Sequence, residues 1–257
     1  MSLSKLSIFS KDTDANEVVK GYEYQKLRTL ENWLRNKVNK VDEIIYCEYE
    51  DDIFQRNIEE GSSKFTQIKL YGSKPFSFKS EEVTKSIANF FMLFVKGEYS
   101  FDTVEFVFET NTGIAGKYGD NDAELLKDWF DNQTNLHTEL LQKCAGKVKS
   151  IVTDYIEEEL PKAEKVNKLE AESAMIDFNV LPASIWEDFA KAIKWIFNDV
   201  STDEAVENVI NSIKDHIKEL PFPTVEGKID TVFTTLYYEV SVKMFQNEPE
   251  NRCLTNQ

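Results

Sequence analysis

The stretch EYEDDIFQRNIEEGSSKFTQIKLY, residues 48–71, decides the fold because a turn separates two segments that have the composition of β-strands. β-Branched and aromatic residues are frequent in 43–56 and in 64–71, and the glycine and serines between them are typical of a turn. We predict one long strand or two consecutive strands over 43–56 and a further strand over 64–71. The sequence therefore predicts an antiparallel hairpin centred near Gly61.

The two halves of this stretch differ in charge. Residues 48–52 contain four acids, whereas no acid occurs from Gly61 to Ser80. Lysines stand in that acid-free segment at positions 64, 69, 74 and 79. For Lys74 and Lys79, ordinary surface charge and contact with a phosphate remain equally open.

Helical patterns flank the hairpin. Residues 17–38 place Val19, Tyr22, Leu27, Leu30, Trp33, Leu34 and Val38 near one side of a helix. A second helix is expected to begin at Ser80 or Glu82 and to end at Gly97, and a strand is expected over 103–111. Helix, strands, helix and strand in this order predict an α/β fold with a mixed sheet flanked by helices.

Helical patterns dominate after residue 120. Residues 184–200, SIWEDFAKAIKWIFNDV, are predicted to form one of these helices. We therefore expect a core over 1–119 and a C-terminal helical extension, 120–257, packed on it.

Composition restricts the function. The chain has 257 residues, 41% of them hydrophobic, and a formal net charge of −16, which argues against nonspecific coating of nucleic acid because most of the surface would repel phosphates. The cysteines, Cys47, Cys144 and Cys253, are far apart and show no zinc-site spacing. No apolar run is long enough to cross a bilayer, so a cytoplasmic protein without membrane contact is expected.

Alternation along the predicted strands brings acids, an amide and a lysine together. Gln67 and Lys69 share one face of their strand, and Glu48, Glu50 and Asp52 share a face if no bulge intervenes. A hairpin centred near residue 61 places Asp52 opposite the neighbourhood of Lys69.

Such a cluster has the chemistry of a site for Mg²⁺ or Mn²⁺. Asp52 and the side-chain carbonyl of Gln67 are hard oxygen ligands, and the backbone carbonyl of Ile68 is a third candidate. Lys69 would orient or activate water and offset charge on a phosphate. These groups together are suited to phosphodiester hydrolysis.

The same residues carry a resemblance to a known family. GYEYQ at 21–25, EYEDDI at 48–53 and QIK at 67–69 resemble, in this order, the motifs of the PD-(D/E)XK restriction-endonuclease-like superfamily. They are most similar to the variant with Gln before x-Lys, found in DNA endonuclease effector domains of bacterial anti-phage systems of the SAVED-associated CBASS, Avs and Lamassu types. The resemblance covers about the first 110 residues.

The resemblance implies a restriction-endonuclease-like sheet, a nuclease core over 1–119 and metal-dependent cleavage of double-stranded DNA. Asp52, followed by Ile53 as in the family's D-I pattern, matches the metal-binding acid. Gln67 and Lys69 match the Q-x-K pair, which makes them catalytic candidates.

The resemblance leaves the roles of two further residues open. Glu48 matches the preceding acid and Gln25 the glutamine of the first helix. Whether Glu48, Glu50 or Gln25 completes the metal site stays open.

The resemblance also implies partners. Family nucleases are governed by a sensor region or a partner, and no sensor region is recognisable in this sequence. We therefore expect double-stranded DNA as substrate, and either an effector domain of a longer protein or a subunit that oligomerisation or the sensor subunits of an anti-phage complex control in trans. The alternative is a catalytically silent interaction module of the same fold, whose acidic surface serves assembly or DNA mimicry.

Overall fold

The computed structural model describes residues 16–47, 51–72, 74–97, 99–116, 119–221 and 227–255. Its helices are α1 (Asn16–Asn39), α2 (Glu81–Lys96), α3 (Asn121–Asn132), α4 (Thr138–Asn179), α5 (Ala183–Ala192), α6 (Thr202–Glu219) and α7 (Ile229–Met244). Its strands are β1 (Ile44–Cys47), β2 (Ile53–Asn57), β3 (Ser62–Lys69), β4 (Val104–Thr110), β5 (Ile193–Phe197) and β6 (Cys253–Leu254).

The strands form one mixed sheet in the order β5-β4-β3-β2-β1-β6. The pairs β6–β1, β1–β2 and β2–β3 are antiparallel. The pairs β3–β4 and β4–β5 are parallel. The predicted α/β fold with a mixed sheet flanked by helices is therefore confirmed.

The hairpin of β2 and β3 is the centre of this sheet. Gly61 has a φ of +65°, a left-handed conformation that glycine adopts without a steric penalty. The register that follows pairs Ile53 with Thr66 and Phe54 with Phe65. The segment 43–56 forms two strands, β1 and β2, and not one.

Each face of the sheet has its own hydrophobic cluster. On one face Phe54, Phe65 and Phe106 stack across three neighbouring strands with ring centroids 4.6 and 5.6 Å apart, and Phe90 of α2 packs on Phe106 at 5.2 Å. On the other face Ile68 joins residues of α1, α6 and α7. Alternate residues of β3 thus contact opposite layers, as its alternating pattern predicted.

The structure corrects the prediction of a single helix over 184–200. Helix α5 ends at Ala192, and Ile193–Phe197 form β5, which pairs in parallel with β4. Ile193 and Trp195 are fully buried against the sheet, so tertiary packing outweighs the helical spacing of the apolar residues. The sheet therefore takes two of its strands from beyond residue 119, while the division into 1–119 and 120–257 stays a prediction.

The predicted apolar face of α1 is correct in its middle and wrong at its start. Leu27, Leu30 and Leu34 are buried, whereas Val19 and Tyr22 are exposed. The first turns of α1 line an open cleft beside α6, so Val19 lies next to that helix without being buried by it. Among the described residues, no helix combines the length and the apolarity needed to cross a membrane.

The Gly61 turn supplies a first prediction. Replacing Gly61 by alanine is expected to lower the free energy of unfolding by roughly 1 kcal/mol, because a Cβ is unfavourable at positive φ. Gly72→Ala is the matched control, since its Cβ would meet nothing within 4 Å and its φ is not positive. Urea denaturation measures both, and equal effects of the two changes would contradict the prediction.

Candidate functional site

The hairpin register brings Asp52 to Gln67 and Ile68. Asp52 immediately precedes the first paired residue of β2, and its Oδ2 accepts hydrogen bonds from Nε2 of Gln67 and, at 2.7 Å, from the backbone N–H of Ile68. The adjacent Asp51 instead accepts from the backbone N–H of Asp52 at 2.9 Å. Of the two aspartates, Asp52 is therefore the one whose carboxylate faces β3.

Helix α1 supplies a third hydrogen bond to this carboxylate. The side chain of Gln25 hydrogen-bonds to Asp52, so the glutamine of the GYEYQ motif belongs to the same cluster. The other end of its amide, Oε1, is buried and has no hydrogen-bond partner among the described residues.

The cluster also changes the acidity of Asp52. Removal of the carboxyl group from water raises its pKa above the ordinary value of 3.8. The positive charge of Lys69 and the hydrogen bonds from Ile68, Gln67 and Gln25 oppose this effect without cancelling it. In the folded protein, Lys69 and the hydrogen bonds therefore do not fully replace the hydration that the ionised Asp52 carboxylate has lost.

A buried ion pair holds α1 against the sheet next to this cluster. The guanidinium of Arg28 contacts the buried Glu109 of β4 at 2.7 Å and also contacts Glu31. Burial alone would lower the pKa of Arg28, but the two carboxylates raise it further above its ordinary value. Because Gln25 precedes Arg28 by about one helical turn, the ion pair also fixes the place of Gln25.

Gln67 and Lys69 face a cleft of about 450 Å³ between β3 and α2. Tyr71, Glu82 and Lys85 line the same cleft. Burial and the nearby Glu82 raise the pKa of Tyr71 to about 12, so its hydroxyl stays protonated and hydrogen-bonds to that carboxylate.

The sequence did not identify Tyr71, Glu82 or Lys85 as site residues. They come from the loop after β3 and from the first turn and a half of α2, so no motif links them to Gln67 and Lys69. The only available signal was the predicted start of a helix shortly after the QIK motif.

The other lysines of the acid-free segment have carboxylate neighbours. Lys64 contacts Glu105 at 3.4 Å, and Lys74 contacts Glu82 at 3.8 Å. Lys79 contacts Asp120 at 3.0 Å. Lys69 differs from these three because Asp52 of the cluster is its electrostatic neighbour.

The oxygen atoms around Asp52 fit a hard divalent cation. Asp52 offers a carboxylate, and rotation of the Gln67 amide would exchange its donor for Oε1. The N–H and C=O of one strand residue point to the same side, so the Ile68 carbonyl also lies on the Asp52 side.

Few carboxylates of the described residues are available to hold a cation beside Asp52. The described residues contain no group of three or more His, Cys, Asp or Glu side chains that could hold a metal. Glu48 and Glu50, named as possible ligands, lie outside the described residues. A cation here would depend on Asp52 together with amide and backbone oxygens.

Comparisons with known proteins find similar solved structures. No protein-family model matches the chain, and no curated protein matches it. Solved structures of an Acinetobacter baumannii Cap4 SAVED/CARF-domain containing receptor, with the cyclic trinucleotide 2'3'3'-cAAA or 3'3'3'-cAAA, are similar at 13% identity and TM-scores of 0.47 and 0.48. Each match covers 92% of this chain and 42% of the receptor chain.

A receptor of the same description from Moraxella osloensis is similar at 13% identity and a TM-score of 0.48. This match covers 88% of the present chain and 43% of the receptor chain. The chain thus spans less than half the length of the receptors it resembles.

These comparisons correct two predictions. The identification as a PD-(D/E)XK endonuclease effector is wrong, because the similar structures are described as SAVED/CARF-domain containing receptors and not as nucleases. The function drawn from it, cleavage of double-stranded DNA, is wrong for the same reason. Short motifs of three to six residues do not determine a family when the supporting residues lie on common elements such as a hairpin and a helix.

The raised pKa of Asp52 gives a second prediction, for stability against pH. An acid whose pKa is higher in the folded than in the unfolded protein destabilises the fold once it ionises, so the penalty is present at pH 7 and disappears toward pH 4. Asp52→Asn is therefore expected to raise the melting temperature by a few degrees at pH 7, and the gain should shrink on acidification.

Thermal melts of the wild type and Asp52→Asn at pH 7, 6 and 5 measure this difference without added metal. Asp42→Asn is the control, since Asp42 is exposed. A lower melting temperature for Asp52→Asn at pH 7 would show that the hydrogen bonds to the carboxylate outweigh its loss of hydration.

Proposed function

We propose that Asp52, Gln67 and Ile68 bind Mg²⁺ or Mn²⁺, and that the cation and Lys69 together bind a phosphodiester group of a nucleotide ligand. One observation carries the proposal. The carboxylate of Asp52 is enclosed by amide groups of α1 and β3, with the positive charge of Lys69 beside it. A cation would supply the compensation that the ionised carboxylate lacks.

The donor atoms support a hard cation in particular. Carboxylate, side-chain amide and backbone carbonyl oxygens are the ligands that Mg²⁺ uses, together with water. The buried Oε1 of Gln25, which has no partner among the described residues, is a further oxygen in the cluster. The imidazole and thiolate ligands typical of zinc do not occur in it.

The position of Lys69 supports a phosphodiester ligand. Lys69 lines the cleft together with Lys85, Glu81 and Glu82, and Lys85 is paired with Glu81. Lys69 is thus the cation of this cleft that acts on Asp52. A bound metal cation would add further positive charge beside it.

Lys69 beside Asp52 also favours a second candidate function, hydrolysis of the bound phosphodiester. A bound cation would supply Lewis-acid chemistry there. Lys69 would stabilise the negative charge that develops on the phosphate oxygens while water adds to phosphorus and the P–O bond to the leaving group breaks.

The setting that we propose is an anti-phage defence complex. The similar receptor structures include complexes with cyclic trinucleotides, which contain phosphodiester groups. A cyclic trinucleotide is therefore a suitable probe for this chain.

Metal binding gives a third prediction. Mg²⁺ at ten times its dissociation constant is expected to stabilise the wild type by about 1.4 kcal/mol, or roughly 3–6 °C in melting temperature. Asp52→Asn should show no such shift, because it removes the carboxylate ligand. Asp42→Asn should respond like the wild type, and a shift that persists in Asp52→Asn would place the metal elsewhere.

Ligand binding gives a fourth prediction. Lys69→Ala is expected to weaken binding of a cyclic trinucleotide in the presence of Mg²⁺ by roughly 10- to 100-fold, the loss of one charge-assisted hydrogen bond. Lys64→Ala, on the same strand but paired with Glu105, should leave binding within about twofold. Isothermal titration calorimetry measures both, and chromatography of the ligand after incubation tests hydrolysis.

The outcomes separate the two candidate functions. Binding without turnover supports the first function alone. Linear products that form with wild type but not with Asp52→Asn support the second. Binding that is unchanged in Lys69→Ala would refute the proposed position of the phosphodiester.

A further inference from the structure

Backbone pairing between β3 and β4 ends before the chain reaches Tyr71. The last pair in the register joins Lys69 to Thr110. Tyr71 lies two residues beyond Lys69, after the end of β3, yet its side chain lines the same cleft as Lys69. The register of the sheet alone therefore does not fix the position of Tyr71.

The side-chain amide of Asn111 holds the main chain of Tyr71 at this place. Asn111 directly follows β4 and is fully buried. Its Oδ1 accepts a hydrogen bond from the backbone N–H of Tyr71 at 2.8 Å, and its Nδ2 donates to the backbone C=O of Tyr71 at 2.9 Å. A side-chain amide carries both an acceptor and donors, as a peptide group does. Asn111 thus extends the contact between β3 and β4 beyond the paired residues.

The same amide also joins the segment that follows β5. Nδ2 of Asn111 donates a second hydrogen bond, to the backbone C=O of Val200 at 3.1 Å, and the backbone C=O of Asn111 accepts from the N–H of Val200 at 2.7 Å. The hydroxyl of Thr202, the first residue of α6, donates to the C=O of Tyr71 at 3.2 Å. One buried side chain therefore connects the segments that follow β3, β4 and β5.

A second set of contacts holds the chain a few residues after Tyr71. The backbone N–H of Phe76 donates to the C=O of Gly113 at 3.0 Å, and the N–H of Ala115 donates to the C=O of Phe76 at 2.8 Å. The ring of Tyr71 packs edge to face with the ring of Phe76, with centroids 5.5 Å apart. The extension of β4 from Asn111 to Ala115 therefore sets the place of Tyr71 from both sides.

The hydroxyl of Tyr71 faces a carboxylate in the cleft. It hydrogen-bonds to Glu82, and because a carboxylate only accepts, the hydroxyl donates and keeps its oxygen lone pairs as acceptors. Oε2 of Glu82 is a further acceptor, without a hydrogen-bond partner among the described residues. Phosphate oxygens also carry negative charge, so this end of the cleft disfavours them. It suits the hydrogen-bond donors of a nucleoside, which are the sugar hydroxyls and the N–H groups of the base.

We propose that Tyr71 contacts the nucleoside part of a ligand whose phosphodiester lies at Lys69, and that Asn111 is the positioning residue that holds Tyr71 there. The inference rests on the proposed function, because it takes the phosphodiester at Lys69 as its starting point. It adds a division of the cleft: Lys69 binds the phosphate, and Tyr71 with Glu82 binds the sugar or the base.

The fifth prediction concerns Asn111. Asn111→Ala is expected to weaken binding of a cyclic trinucleotide in the presence of Mg²⁺ by roughly tenfold, because the main chain of Tyr71 loses two hydrogen bonds and Tyr71 its position. The shift of the melting temperature by Mg²⁺ should persist, since the groups around Asp52 come from α1 and β3. Isothermal titration calorimetry and thermal melts measure the two effects.

Asn36→Ala is the matched control. Asn36 is also buried, and its Nδ2 donates to Glu43 at 2.9 Å, away from the cleft residues. Its replacement should lower the melting temperature, because a buried hydrogen bond is lost, and leave binding of the trinucleotide within about twofold. The comparison separates a loss of stability from a loss of position at the cleft.

A double-mutant cycle tests whether Asn111 acts through Tyr71. Tyr71→Ala removes the side chain but keeps the main-chain groups that Asn111 contacts, and it should also weaken binding by roughly tenfold. The double variant should bind within about twofold of Tyr71→Ala, since Asn111 then has no side chain left to position. If Asn111→Ala does not fold, Thr202→Val replaces it in the cycle. This change removes one hydrogen bond to the same carbonyl and should cause a smaller loss.

The outcomes distinguish this inference from the function on which it rests. A wild type that binds no cyclic trinucleotide would overturn both. Binding that falls in Lys69→Ala but not in Tyr71→Ala would overturn the role of Tyr71 and leave the proposed function standing. Losses that add in the double variant, or an Asn111→Ala that binds as Asn36→Ala does, would show that Asn111 does not position Tyr71 for the ligand.

Discussion

The removal of the Asp52 carboxylate from water is the constraint on which the candidate site depends. Its partners come from separate parts of the fold: Gln25 from α1, and Gln67, Ile68 and Lys69 from β3. Each of them lowers the cost of ionising this carboxyl group. The Gly61 turn sets the hairpin register, and helix α1 packs on the sheet. Both therefore determine the surroundings of the Asp52 carboxylate.

The position of α1 follows from a second buried charge. Arg28 and Glu109 join α1 to β4, and each would be unfavourable if the other were absent. Gln25 lies about one helical turn away, so this ion pair also fixes its position. The partly buried Asp52 and the buried Glu109 differ in one respect. Glu109 contacts the guanidinium of Arg28 directly, whereas the partners of Asp52 among the described residues are amide groups and the more distant Lys69.

Such an arrangement lowers the stability of the folded protein while Asp52 is ionised. A hydrophobic or neutral polar side chain at position 52 would relieve the cost of desolvation, and a protein selected only for stability would carry one. Retaining a carboxylate is consistent with a group that is completed by something outside the polypeptide. The cleft beside it, lined by two lysines and two glutamates, has a volume of about 450 Å³, which is large enough for a small ligand.

Local signals predicted the hairpin and helix α2 from the sequence, since turn glycine, strand alternation and helix-capping residues act over short distances. They failed for β5, because its apolar residues continue the helical spacing of α5 and only pairing with β4 makes it a strand. For the site, Asp52, Gln67 and Lys69 could be placed from the register alone. Tyr71 and Glu82 could not, since only the packing of α2 against the sheet brings them to the cleft.

Family membership was predicted from motifs on these same elements, and the comparisons with receptors corrected it. A motif describes a few side chains on a hairpin and a helix. It does not describe the chain that surrounds them, which decides what the site serves.

The parallel pairing of β4 with β5 has a consequence for how the chain folds. Thr110, the last residue of β4, is separated from Ile193, the first residue of β5, by helices α3 to α5, so this pairing closes one of the longest loops in the sheet. Loop closure of this length slows folding relative to the local hairpin of β2 and β3. During synthesis on the ribosome, the edge of β4 with Phe106 and Phe108 is complete long before its partner emerges. The unpaired backbone groups of this edge therefore stay exposed in the nascent chain until β5 emerges.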